Sequence, residues 1–333
     1  MYKKILLATA ITTLIFSGCS TKQYFEPKET FSLSSTSMGD ELVHYSRDTA
    51  TLASGKVLTK TQSVHLQLKE GFYFINHSNK AAITADLQGN CNIVTQKGIV
   101  ASAKFPKALV AGSLIGKYLV YVLQNNNYGV YDFQKKEVIY NNKSNKAYAI
   151  DRRIANPLNV EKLVVIPTLD GKLTILDLAT LKVVREMYVS TESSLNNIIF
   201  LSKIKNTLIA ATPNRVLSVS AKGKRELDVA VSEVIINNGS IFVFAKDGRI
   251  LKVNANLTIE AERKFKFAHF SVAAVDSEKV YGLDKQGYLV VSNRNLNKHK
   301  VYSVSDIDGY AFVSQNKLYY DGEIIDLSRL TYE

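Results

Sequence analysis

The chain has 333 residues, with 42 Lys and Arg against 30 Asp and Glu and a formal net charge of +12. At 46% hydrophobic and 22% charged it has the apolar content of a folded core, which excludes a disordered chain. Two cysteines exclude a disulfide-dense scaffold and a four-thiolate zinc site, and the length admits two average domains or one large all-β domain.

The chain opens on Lys3 and Lys4, followed by an uncharged apolar run over residues 5–16. As a helix this run reaches about 18 Å, short of a ~30 Å hydrocarbon core, so it reads as a secretory signal and not a permanent span. It ends in Ile15-Phe16-Ser17-Gly18-Cys19, which resembles a bacterial lipoprotein lipobox. The resemblance implies a signal peptide over 1–18, cleavage before Cys19, thioether diacylation of that residue and acylation of the new amino terminus. Several acyl chains on one residue anchor stably where one alone does not. An ordinary cleaved signal would leave Cys19 incidental. Ser20 follows the cysteine, and by resemblance to enterobacterial lipoproteins the absence of Asp there implies the outer membrane, with the body expected to face the periplasm.

Residues 19–41 then read as the acylated cysteine and a flexible linker, because Ser and Thr dominate, Pro27 interrupts and no apolar period is sustained. From residue 42 to 333 short apolar runs alternate with turn residues. Phe72-Tyr73-Phe74-Ile75, Tyr118-Leu119-Val120-Tyr121-Val122-Leu123, Leu163-Val164-Val165-Ile166 and Ile241-Phe242-Val243-Phe244 have the β-branched and aromatic composition of strands. The turns Gly89-Asn90, Asn126-Asn127, Asp170-Gly171, Pro213-Asn214, Asp247-Gly248, Gln286-Gly287 and Asp321-Gly322 recur at steps of 34 to 44 residues. A period near 40 with several strands per unit is the signature of propeller blades.

The unit Gly171-Lys172-Leu173-Thr174-Ile175-Leu176-Asp177-Leu178-Ala179-Thr180 resembles the repeat of the quinoprotein-type (PQQ-like) propellers, with Leu181 in place of that pattern's second Gly. Seven turns imply an all-β propeller of seven blades. The last unit runs out of chain before its outer strand, so an N-terminal strand is expected to close it, Leu42–Tyr45 or Lys56–Thr59. An open β-sandwich pair or an eight-bladed ring is the alternative. Cys91 lies in an alternating stretch and reads as a small buried strand residue.

No catalytic motif is present: no G-x-S-x-G elbow, P-loop, dinucleotide fingerprint or local metal spacing among His44, His65, His77, His269 and His299. The quinoprotein enzymes stack their cofactor on Trp beside a vicinal disulfide. This chain has no Trp and no adjacent cysteines, so no cofactor and no metal are expected. Asp132, Asp177 and Asp284 follow comparable strands and either approach the ring axis or cap backbone turns. Basic clusters at Lys135-Lys136, Arg152-Arg153, Lys222 to Arg225 and Arg263 to Lys266 read as turns and solvent faces. Tyr128 and Tyr140 sit beside turns and are candidates for an interaction rim.

An anchor plus a repeated rigid unit without a catalytic set implies a non-catalytic interaction scaffold. By resemblance it is similar to the propeller lipoprotein of the outer-membrane protein assembly machinery. The expected partners are the membrane, through the lipid, and envelope proteins. The exported address disfavours nucleic acid. A propeller enzyme or glycan-binding protein of the hydrolase or lyase type using the central channel, or a surface adhesin, is the alternative.

Overall fold

Tyr118–Leu123 and Ser240–Ala245 are apolar at nearly every position, and both are buried from their second residue onward. A continuous apolar run of this length suits a strand covered on both faces. The covering comes from neighbouring sheets. A computed structural model of the protein describes residues 23–333 apart from 61–62, 79–80, 145–146, 148, 150, 152, 192–195 and 305–306. Among the described residues the strands form eight four-stranded antiparallel sheets. Seven are consecutive in the chain and form blades one to seven: 42–67, 72–104, 109–142, 158–188, 200–228, 231–264 and 270–303. Blade eight takes Ala311–Ser314, Lys317–Tyr320 and Glu323–Asp326 from the C-terminus and Thr36–Ser37 from the N-terminus.

The core lies in the eight seams between blades. Ile83 and Cys91 of blade two meet Leu119 and Tyr121 of blade three. Val120 and Val122 meet Val164 and Ile166 of blade four, whose Val165 and Leu173 pack on Ala210 and Leu217 of blade five. Ile209 and Ala211 then join Val231 and Val243 of blade six. Phe242 and Phe244 join Phe270 and Ala273 of blade seven, and Tyr281 and Leu283 join Val313 and Leu318 of blade eight. Phe312 packs on Leu42 and Leu52 of blade one, and Val57 on Phe74 of blade two, which completes the circuit. Side chains therefore alternate between two seams along each strand. Outermost strands such as Lys182–Tyr188 and Gly223–Asp228 are mostly exposed.

The glycine turns carry a recurring constraint. The carbonyls of Gly89, Gly171, Gly248 and Gly287 accept from the amides of Phe105, Val189, Phe265 and Val304, tying each turn to the residue that leaves the fourth strand. At Gly248, with φ at +84°, a Cβ would stand 2.0 Å from the Phe265 carbonyl oxygen. Only glycine fits there.

The ring has eight blades, not the seven expected. The overlooked unit is blade one, whose turn at Ser54-Gly55 falls 35 residues before Asn90, inside the period already seen. Its strands span four or five residues, and none is a continuous apolar run. Leu42–Tyr45 and Lys56–Thr59, the strands expected to close the last blade, are the first and third strands of this unit. Closure is made instead by two polar residues, Thr36 opposite Ile324 and Ser37 opposite Glu323. The stretch expected to be a flexible linker is laid on the ring from residue 23 to 37, with Phe25 buried and Phe31 bridged to Tyr302.

Candidate functional site

Strand alternation puts the first-to-second and third-to-fourth connections of every blade on one face of the ring. In blade one these connections carry Arg47, between Leu42–Tyr45 and Thr49–Leu52, and Lys60, directly after Lys56–Thr59. They are tied together: the Lys60 amide donates to the Asp48 carbonyl at 3.0 Å, and the Ser46 amide to that of Thr49 at 2.8 Å. From this base both side chains cross the central channel. The Lys60 ammonium reaches Glu233 Oε2 of blade six at 2.9 Å. The Arg47 guanidinium lies over the Phe200 ring of blade five, 4.5 Å from its centroid, and bonds Asp48 at 2.8 Å. Arg153, in the connection from blade three to blade four, pairs with Asp151. That loop is held by Asn197, which accepts from the Asp151 amide at 3.2 Å.

Glu233 is the electrostatic centre of the channel. Burial alone would raise its carboxyl, but Lys60, Arg47 and Arg153 outweigh that cost and hold it at about 2. A carboxylate pinned as an anion cannot donate a proton near neutrality and is a weak base. Among the described residues no group of three His, Cys, Asp or Glu side chains could hold a metal ion. Beside this ion pair is a cavity of about 400 Å³, lined by Arg47, Lys60, Phe200, Asn237 and Asn316 among others. Arg47 Nε is buried without a hydrogen-bond partner.

Asp132, Asp177 and Asp284 cap turns and do not gather at the axis. Asp132 accepts from the amides of Gln134 and Lys135 and pairs with Lys117 at 3.1 Å. Asp177 accepts from the amides of Ala179 and Thr180, and Asp284 from those of His269 and Gln286. Tyr128 is fully buried, with its hydroxyl 3.2 Å from Thr174 Oγ1, so it presents no surface. Tyr140 is half-buried, its ring centroid 6.5 Å from that of Tyr128. Cys91 is buried, and burial pushes its thiol up to about 12. His44 packs on Tyr73, His77 on Phe74 and His299 on Phe265, away from any shared site. The apolar run over 5–16, Cys19 and Arg152 lie outside the described residues.

Arg47, Lys60 and Glu233 carry no local signal. They lie up to 186 residues apart in unrelated turns and strands, and only closure of an eight-bladed ring sets blade one across from blades five and six. Arg153 was visible only as part of a basic pair.

No model of a known protein family matches the chain. Over 99% of its length it is similar to the plasminogen-binding protein PgbB of Helicobacter pylori, at 24% identity in strains J99 and 26695, and it covers 70% of each. Its fold is similar to that of BamB from Moraxella catarrhalis, with a TM-score of 0.65 at 15% identity over 89% of this chain and 98% of that one. It is also similar to the C-terminal WD40 domain of Sif2, with a TM-score of 0.63 at 11% identity over 88% and 98%. These likenesses show a β-propeller.

Proposed function

We propose that the protein is an exported lipoprotein, anchored through Cys19, that binds other proteins in the cell envelope or at its surface without catalysing a reaction. One observation carries this reading. Ile99 and Val100 of blade two, Val138 of blade three and Val183 and Val184 of blade four stand 40% to 60% exposed on outermost strands. The outermost strands of blades five and six, Gly223–Asp228 and Ile259–Lys264, are mainly charged, Phe31 pairs with that of blade seven, and Thr36–Ser37 is that of blade eight. An open strand edge offers unpaired amides and carbonyls to an extended segment of a partner, and exposed aliphatic side chains give that segment something to bury. The similarity to PgbB, named for binding plasminogen, supports protein binding as the activity. The pairing of Glu233 with Lys60 supports a non-catalytic channel.

Crosslinking in intact cells, followed by mass spectrometry, is expected to recover one specific envelope or surface partner. Recovery of lipid-processing enzymes alone would contradict the reading. Protease shaving of whole cells separates the two orientations, since only a surface-facing ring is cut.

A channel ligand is the second reading, favoured by the cavity and the unpartnered Arg47 Nε. Binding of an acidic sugar such as glucuronate to the wild type, and not to Arg47→Ala, would place the activity in the channel.

A further inference from the structure

The segment from residue 23 to 37 is held to the ring at three points. Phe25 inserts into the seam of blades six and seven, edge-on to Phe265 at 6.0 Å and to Tyr288 at 5.8 Å. Phe31 adds a parallel bridge to the outermost strand of blade seven: its amide donates to Val301 and its carbonyl accepts from Ser303, each at 2.9 Å. The Lys300 ammonium caps the Phe31 ring at 4.9 Å. Thr36–Ser37 then becomes the outermost strand of blade eight. Burial of the Phe25 ring holds the segment through the hydrophobic effect, and the bridge and strand add backbone hydrogen bonds. This segment is a docked strap.

We propose that the outer wall of the ring at blades six and seven is the surface apposed to the lipid bilayer. The inference rests on acylation of Cys19. Five residues lie between Cys19 and Phe25, and whatever conformation they take, the six Cα steps reach at most about 20 Å. A free linker from 19 to 41 would reach roughly 75 Å and leave the ring unoriented. Docking at Phe25 therefore brings one wall to the membrane and holds it there. Basic and acidic groups are interspersed on that wall, Arg263, Lys264, Lys266 and Lys300 among Glu26, Glu260 and Glu262, so the orientation is assigned to the tether. In an eight-bladed ring blade seven lies opposite blade three. The strap thus turns the apolar edges of blades two to four away from the lipid, where a partner reaches them.

The test uses the acylated full chain in phosphatidylcholine vesicles carrying an acceptor-labelled lipid. A donor dye is placed at Lys264→Cys or at Val184→Cys, while buried Cys91 stays unlabelled. Strong energy transfer from position 264 and weak transfer from 184 is expected, unchanged when anionic lipid is added. Phe25→Ala should abolish that difference while the protein still floats with the vesicles. Equal transfer from both sites in the wild-type background, with acylation intact, overturns the orientation alone. An exported chain without acyl mass, which does not float, overturns the anchor and the orientation together.

Discussion

Glu233 shows how one residue can depend on closure of the whole ring. Its side chain is 14% exposed and that of Lys60 is 24% exposed, so the pair is largely withdrawn from water. Such a pair contributes little net stability over an apolar substitute, but breaking it from one side is costly. Glu233→Gln leaves Lys60 without its carboxylate, beside Arg47 and Arg153, and should cost about 3 kcal/mol, read as a fall in the urea midpoint. Lys60→Met combined with Glu233→Leu should recover most of that loss. The pH dependence follows from the sign of the shift. The folded carboxyl lies below its ordinary value of 4.5, at about 2, so its contribution is complete above the ordinary value and is lost as pH falls between the two. Stability of the wild type should therefore fall more steeply across that window than stability of Glu233→Gln. Parallel profiles would show that the pair does not form.

At the scale of elements, blade one is the weak unit. Among the described residues its seam with blade eight buries four apolar residues and its seam with blade two three, against fourteen between blades five and six. Polar bonds supplement these seams, including Ser314 Oγ to the Thr59 carbonyl at 2.6 Å. Amide exchange should accordingly be fastest in strands 42–59, and uniform protection around the ring would contradict the seam ranking. The closing strand can be tested separately. A chain begun at Met38 exposes Glu323–Asp326 as an open edge, so a lower Tm and concentration-dependent aggregation are expected. An unchanged Tm would show that Thr36–Ser37 does not close the blade.

The elements that escaped the sequence are those that lack pattern. The period near 40 was legible because Gly171, Gly248 and Gly287 each sit where a Cβ is hindered or φ is positive. Blade one was read as spare strand because Ala50, Leu52 and Val57 are isolated core residues in short strands. Residues 19–41 read as linker because Ser and Thr dominate them. The binding elements there are two single aromatics, Phe25 and Phe31, whose partners lie more than 230 residues away. The channel cluster was illegible for the same reason, since its members meet only across the closed ring.

For the whole molecule, a closed ring removes the inner strand edges and leaves the outer ones as its interaction surface. Five aliphatic side chains on blades two to four are exposed at that surface. Exposed substitutions of this kind change folding stability by about 0.5 kcal/mol or less, so Val184→Asp separates binding from folding. The most direct measurement is photocrosslinking in living cells from a probe at position 184, with a second probe on charged blade five at position 224. A specific protein adduct from 184, absent from 224 and lost when Val183 is also changed to Asp, is the expected result. Equal adducts from both positions, or none from 184 in cells that display the acylated protein, would contradict a scaffold that binds through this edge.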